Sequence, residues 1–368
     1  MKKIIWIPIV LIIIGALVAL AGFSAGGLKG FWVDRSGVHL ENTERGKLVK
    51  VDESYDGFKD VELKADFFNQ ITFKEGDGYR VRGQNYERYG GLTVRLDGDK
   101  LVIDAQNKRN NKGWGVNIGV GELFDWNLED SWLEITYPKG ADFGSVTTDI
   151  DAGRLNINGF TCDKLDIDDA FGEVEITSVA CGTLNVKANS GDVRFAGINV
   201  SGDATINNDF GNVSFSDFKA DSLVASLNAG NADFKGISAG KIEITNDYGK
   251  IDIGDIVAED LTLILNAGDL SADHIKTADL YVNSDFGTVR IDRLELSGQS
   301  EINQSSGDVR VGLDISEDDL SYELYTDAGS ISVDGKKSGG SLVSRNAGSS
   351  VSLVVNSNFG DVTLKFLK

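Results

Sequence analysis

Among 368 residues there are 2 prolines, 2 cysteines, 2 histidines and 1 methionine. Each scarcity removes a class of protein. Two cysteines cannot supply a disulfide-dense scaffold or a four-thiolate zinc site. The histidines, His39 and His274, are far apart in the chain and without neighbouring cysteines, so zinc chemistry and a Ser-His-Asp triad have no partners to nominate. Positive charge is also short. With 36 Lys+Arg against 57 Asp+Glu the net charge is −21, which repels the phosphate backbone of nucleic acid and anionic lipid surfaces. Nucleic acid is therefore excluded as a partner. Glycine is abundant, at 44 residues, and implies many tight turns.

Residues 4–23, IIWIPIVLIIIGALVALAGF, form an uncharged apolar run behind Lys2 and Lys3. As a helix rising about 1.5 Å per residue it would cross a hydrocarbon core of roughly 30 Å. Segment 1–23 therefore reads as an N-terminal transmembrane anchor. The positive-inside bias leaves the N-terminus cytoplasmic and the rest of a single-pass cell-membrane protein extracytoplasmic. The alternative is a cleaved signal peptide, since Ala19-Leu20-Ala21 has the small-x-small form, although the run exceeds the usual apolar region of about 7–15 residues. Residues 24–50 read as a juxtamembrane linker. Residues 51–140 form an N-terminal β region and cap, with period-two apolar residues between Gly/Asp turns and an irregular insertion at 106–131.

From 141 to 368 the chain is a repeat. Gly153, Gly172, Gly191, Gly211, Gly230, Gly249, Gly268, Gly287 and Gly307 recur every 19 or 20 residues. A constant period of this length indicates a solenoid. Apolar residues fall near +2, +4, +7, +12 and +14 from each glycine, as in Val174, Ile176, Val179, Leu184 and Val186. That pattern gives very short strands and no helix, so the fold class is all-β, a parallel β-solenoid with repeats of about 19 residues. The residue before each glycine alternates: Phe171, Phe210, Tyr248 and Phe286 against Ala152, Ser190, Ala229, Ala267 and Ser306. A 19-residue coil would alternate rings and small residues up one column. A 38-residue coil would give the rings a column of their own, and in either case each ring is expected to fill a layer. Cys162 and Cys181, 19 apart, would sit on adjacent rungs of the shorter coil and are a candidate disulfide. The unit after Gly307 loosens, and the final strand, ending in Lys365 and Lys368, reads as the terminal cap with charges against end-to-end stacking.

Little catalytic chemistry emerges. Asp209-Phe210-Gly211 and Asp285-Phe286-Gly287 repeat a tripeptide that protein kinases use for magnesium, but the glycine-rich loop and catalytic loop of a kinase are missing. Asp209, Asp247 and Asp285 read as turn residues, as do Asn189, Asn228, Asn266 and Asn346, which are candidates for a hydrogen-bonded asparagine ladder. No cofactor or metal is expected. Trp114, Trp126 and Trp132 lie in or beside the irregular insertion, either buried as a cap over the solenoid's end or exposed as a recognition surface.

The short basic N-terminus, one apolar span, EGDGYRVRG, DGDKLVI, the strand end Tyr137-Pro138-Lys139-Gly140 and units such as NSGDVRF and SSGDVRV together resemble the bacterial putative-adhesin family of membrane-anchored β-strand-repeat proteins. The resemblance implies a membrane-tethered envelope protein and brings no catalytic residues. The expected function is non-enzymatic adhesion or envelope organisation, with cell-envelope polysaccharide or a surface protein as partner class. Alternatives are a polysaccharide-acting β-helix enzyme and a self-assembling envelope scaffold.

Overall fold

The structure, a computed structural model, describes residues 31–34, 37–40, 46–107, 116–118, 130–339 and 341–368. The apolar run 4–23, Trp114 and Trp126 lie outside them. Among the described residues no helix is long and apolar enough to cross a membrane.

The chain winds as a parallel β-solenoid. Asp142–Asn158 pairs with Thr161–Thr177 residue for residue at an offset of 19, with Gly153 opposite Gly172 and Leu155 opposite Val174. One coil is therefore 19 residues, and the longer alternative is ruled out by this register. Each coil is built from extended backbone bent at its glycine, with successive residues alternating between lumen and solvent. In the coil of Thr161–Thr177 the buried set includes Leu165, Ile167, Val174 and Ile176. These columns stack at the roughly 4.8 Å rung spacing of a parallel sheet. Phe195, Phe215 and Phe234 form one such column, with ring centroids 4.7 Å and 4.9 Å apart.

The stack extends back past residue 141. Asp60–Gly76 pairs in parallel with Asp142–Asn158 and, on its other side, with Lys100–Ala105 and Trp132–Pro138. Tyr79–Tyr86 joins Leu48–Tyr55 to Trp132–Pro138 through antiparallel ladders, which closes this end of the sheet. Trp132 lies half-buried on that closing strand, opposite Gln70 and Gln84.

The far end departs from chain order. Gln299–Ser306 pairs in parallel with Ser352–Phe359, and Ser352–Phe359 pairs on its other side with Ser321–Ala328. The final strand, Val362–Phe366, is likewise inserted, between Val309–Leu313 and Ile331–Val333, and is not the cap expected of it. The outer rung is Ser321–Ala328, covered by the antiparallel strand Leu342–Arg345. Lys368 turns back to the side of the solenoid, 3.0 Å from Asp314.

Candidate functional site

Strict alternation from Leu184 and Val186 would carry Ala188 and then Ser190 inside, and on the next rung would carry Asn208 and Phe210 inside. The glycine corner breaks that parity. Asn208 is buried, whereas Phe210 is 58% exposed. Phe171, Tyr248 and Phe286 are exposed to the same degree, at 63%, 58% and 60%. They do not fill a layer of the core; they stand out from one edge of the solenoid.

Register places these rings in a single column with small residues between them. Its order in space is Phe67, Ala152, Phe171, Ser190, Phe210, Ala229, Tyr248, Ala267, Phe286, Ser306, Phe359 and Ala328. Rings therefore recur every second rung, about 9.6 Å apart. Phe359, 62% exposed, joins the column only because its strand is inserted out of chain order. Phe67, half-buried, ends the row against Tyr89, with centroids 5.9 Å apart. Between Phe67 and Phe171, over Ala152 and Gly153, lies an open groove of about 390 Å³ rimmed by Gln70, Arg154 and Glu173.

Close backbone approach makes this edge possible. At Gly211 φ is +135°, and an added Cβ would lie 2.1 Å from the carbonyl oxygen of Gly191. Neither the conformation nor the distance accepts a side chain. One residue past the corner, side-chain oxygens climb from rung to rung. The Asn212 amide donates to Asp192 Oδ1 (2.9 Å), the Asn231 amide to Asn212 Oδ1 (3.1 Å) and the Lys250 amide to Asn231 Oδ1 (3.0 Å). The Asx ladder thus runs after the glycine, not two residues before it at Asn189, Asn228 and Asn266.

Beneath the rings the lumen carries polar groups. Asp169, Asn208, Asn246, Ser284 and Ser357 are buried on ring-bearing rungs, against Ile150, Ala188, Leu227 and Leu265 on four of the others. Asn208 Nδ2 donates to the Gly191 carbonyl and Asn246 Nδ2 to the Gly230 carbonyl, both at 3.2 Å. Asp169 is the acidic member of this column, and neither of its oxygens completes a hydrogen bond. Burial, with the charges of Asp168 and Asp151 adding to it and the nearby Phe171 amide opposing, pushes its carboxyl up to about 7.

Other sequence candidates are placed as follows. Cys162 and Cys181 face each other on adjacent rungs, both buried and both free thiols. The contact with Cys181 and then burial push the Cys162 thiol up. Trp132 is the one tryptophan of its group among the described residues, and no patch can be built from it alone. His274 bridges two carboxylates, with Nδ1 2.6 Å from Asp255 and Nε2 3.1 Å from Glu295. Among the described residues, no group of three or more His, Cys, Asp or Glu side chains is placed to hold a metal ion.

The sequence resembles a bacterial putative-adhesin family of β-strand-repeat proteins, and a family model matches it. Two consecutive stretches, residues 58–202 and 201–365, match the Toastrack DUF4097 family. The chain belongs to this family. The first match starts beside Asp60, where the parallel stack begins. A search of curated proteins found no match for this Toastrack chain. Among solved structures it is similar to a putative adhesin from Bacteroides fragilis, at 11% identity over 87% of this chain and 97% of that one, with a TM-score of 0.27. It is also similar to a putative lipid binding protein from Parabacteroides distasonis, at 11% identity over 88% and 98% with a TM-score of 0.32. A third, a putative cell adhesion protein from Clostridium sporogenes, shows 8% identity over 87% and 100% with a TM-score of 0.17.

Proposed function

We propose that this Toastrack chain is a membrane-tethered extracytoplasmic solenoid that acts by binding, in adhesion or envelope organisation, and not by catalysis. The observation that carries the reading is the exposed aromatic column. Phe171, Phe210, Tyr248, Phe286 and Phe359 form an ordered apolar row on an acidic protein. A regular row of exposed rings of this kind exceeds the singly scattered apolar residues of an ordinary surface and marks a contact site in this reading. The apolar run 4–23 supplies the tether in this reading, and Lys2 and Lys3 its orientation.

Two measurements test it. Protease added outside intact cells should degrade the solenoid, and protection until the membrane is opened would defeat the extracytoplasmic placement. Cells carrying Phe210→Ala, Tyr248→Ala and Phe286→Ala together should lose surface attachment while keeping the protein at normal abundance. Undiminished attachment would remove the aromatic column from the function.

A further inference from the structure

The geometry points to a second copy of this chain as the occupant of the aromatic edge, docked antiparallel so that the rings of each copy enter the gaps of the other. The argument starts from what the protein does with rings inside its lumen. There Phe195, Phe215 and Phe234 occupy consecutive rungs and stack at 4.7 Å and 4.9 Å. On the outer edge every second place is left to alanine or serine, so rings stand about 9.6 Å apart. A ring supplied from outside at each small residue would lie about 4.8 Å from its two neighbours, the spacing already realised in the core. The open groove over Ala152, between Phe67 and Phe171, is one such vacant place.

The column is complementary to itself in only one sense of rotation. It has a ring at one end, Phe67, and a small residue at the other, Ala328, with unbroken alternation between them. Turning it end over end therefore sets every ring opposite a small residue. Tyr248 meets Ala229, Phe210 meets Ala267 and Phe171 meets Ser306 of the other copy, with the two-fold axis midway between Ala229 and Tyr248. A two-fold axis along the solenoid would instead set ring against ring. The closed, isologous pair is thus antiparallel.

Area is sufficient. Five rings, each near three-fifths exposed, present on the order of 600 Å² per copy. Both copies together then bury more than the roughly 1,000 Å² that a specific interface needs. Charge opposes the contact, because Asp209, Asp247 and Asp285 each precede a ring on both copies. The pair should therefore tighten with salt, which shortens the screening length from about 10 Å at 0.1 M to about 3 Å at 1 M. On the tethered reading proposed above, an antiparallel pair would join chains rooted in facing surfaces; dimerisation itself does not depend on that reading.

The test is sedimentation of the purified full chain in mild detergent, at micromolar concentrations and at both salt strengths. The expected species is a dimer of the 39.6 kDa chain, more populated at high salt. Replacing Phe210, Tyr248 and Phe286 by alanine should weaken it at least tenfold. The decisive variant is Ser190→Phe with Ala229→Phe and Ala267→Phe, which adds apolar surface but closes the gaps, and which should be monomeric. Should that triple variant fail to fold by circular dichroism, Ala229→Phe alone blocks two contacts beside the axis and should also give monomer. A wild-type chain that stays monomeric overturns the proposal. So does a gap-filled variant that associates as well as wild type, or ring-dependent retention on an insoluble glycan or on lipid vesicles by a chain that never dimerises. Protease accessibility on cells reports on the tether separately, so failure of either reading is visible without the other.

Discussion

Replacing Asp169 by asparagine should stabilise the protein at neutral and alkaline pH. Asp169 is 1% exposed and its oxygens complete no hydrogen bond, while its carboxyl titrates near 7 in the folded chain. An unfolded aspartate titrates near 3.9. Between those values the folded state holds a proton that the unfolded state has released. Stability therefore falls as pH rises through this window, and is level above and below it. At about 1.4 kcal/mol per unit, a gap of about three units sets an upper bound near 4 kcal/mol; relaxation around the carboxylate reduces it to about 1–3 kcal/mol. Asparagine removes the titration. By analogy with Asn208, its Nδ2 would reach the carbonyl of Gly153, one rung below. The assay is urea denaturation of wild type and Asp169→Asn at pH 4.5, 6 and 8, comparing midpoints because solenoids unfold with limited cooperativity. All other carboxylates are common to both chains and cancel in the difference. The variant's advantage should be largest at pH 8 and fall to about a quarter of that at pH 4.5, near the unfolded value. A variant less stable than wild type at pH 8, or an advantage that does not change with pH, would refute the reasoning.

Three further outcomes are expected. Gly211→Ala should cost on the order of 4 kcal/mol or unfold neighbouring rungs, since its Cβ would sit 2.1 Å from the Gly191 carbonyl oxygen; Gly78→Ala, with nothing within 4 Å of its Cβ, should be neutral or slightly stabilising in the same melting assay. Phe215→Ala should destabilise by about 3–5 kcal/mol, because its ring is stacked on both sides in the lumen, and a midpoint shift below about 1 kcal/mol would show that the column can collapse. Cys162 and Cys181, on directly paired positions, have a rung separation within the Cα range of a disulfide; protein recovered from an oxidising compartment should lack two hydrogens by mass and gain about 3 kcal/mol over its reduced form, whereas two titratable thiols after unfolding would contradict the pairing.

The period and the parallel stacking were legible because each unit repeats the same short apolar set after its glycine; the coil length was not, since registers of 19 and of 38 residues both superpose those sets, and it is fixed by the pairing of Gly153 with Gly172. Nor was the direction of the rings legible. In the Asp203–Phe210 segment Ile206 and Asn208 are buried, and continuing their parity puts Phe210 inside. Hydrophobicity reinforces the error, since phenylalanine is far more often buried than asparagine. The bend at Gly211 reverses both, turning the ring outward while Asn208 stays in to serve the Gly191 carbonyl. A partial signal was available: polar Asp169, Asn208 and Asn246 recur two residues before the rings, a position polar where a backbone carbonyl needs a donor, although Gln304 and Thr326 fill the same place before Ser306 and Ala328 and also donate to carbonyls. For Trp114, Trp126 and Trp132 the choice between cap and recognition surface was not legible for a different reason, as an irregular segment without periodicity carries no register to place them.

The end of the chain shows that the alternation belongs to the edge and not merely to the repeat. Followed along the sequence, the small residue Ser306 is succeeded by Ala328, and two small residues would meet if Ser321–Ala328 stacked directly on Gln299–Ser306. The chain instead runs on through the outer strands, returns, and threads Ser352–Phe359 between them, hydrogen-bonded on both sides. Phe359 then stands between Ser306 and Ala328, with 62% of its surface in solvent. Burial cannot explain a ring placed there, because the strand's lumen contacts come from Leu353 and Val355. A surface role can: with Phe359 in place the row stays evenly spaced to its last rung and matches its own reverse, and without it the outermost gap opposite Ala152 of a second copy would be unfilled.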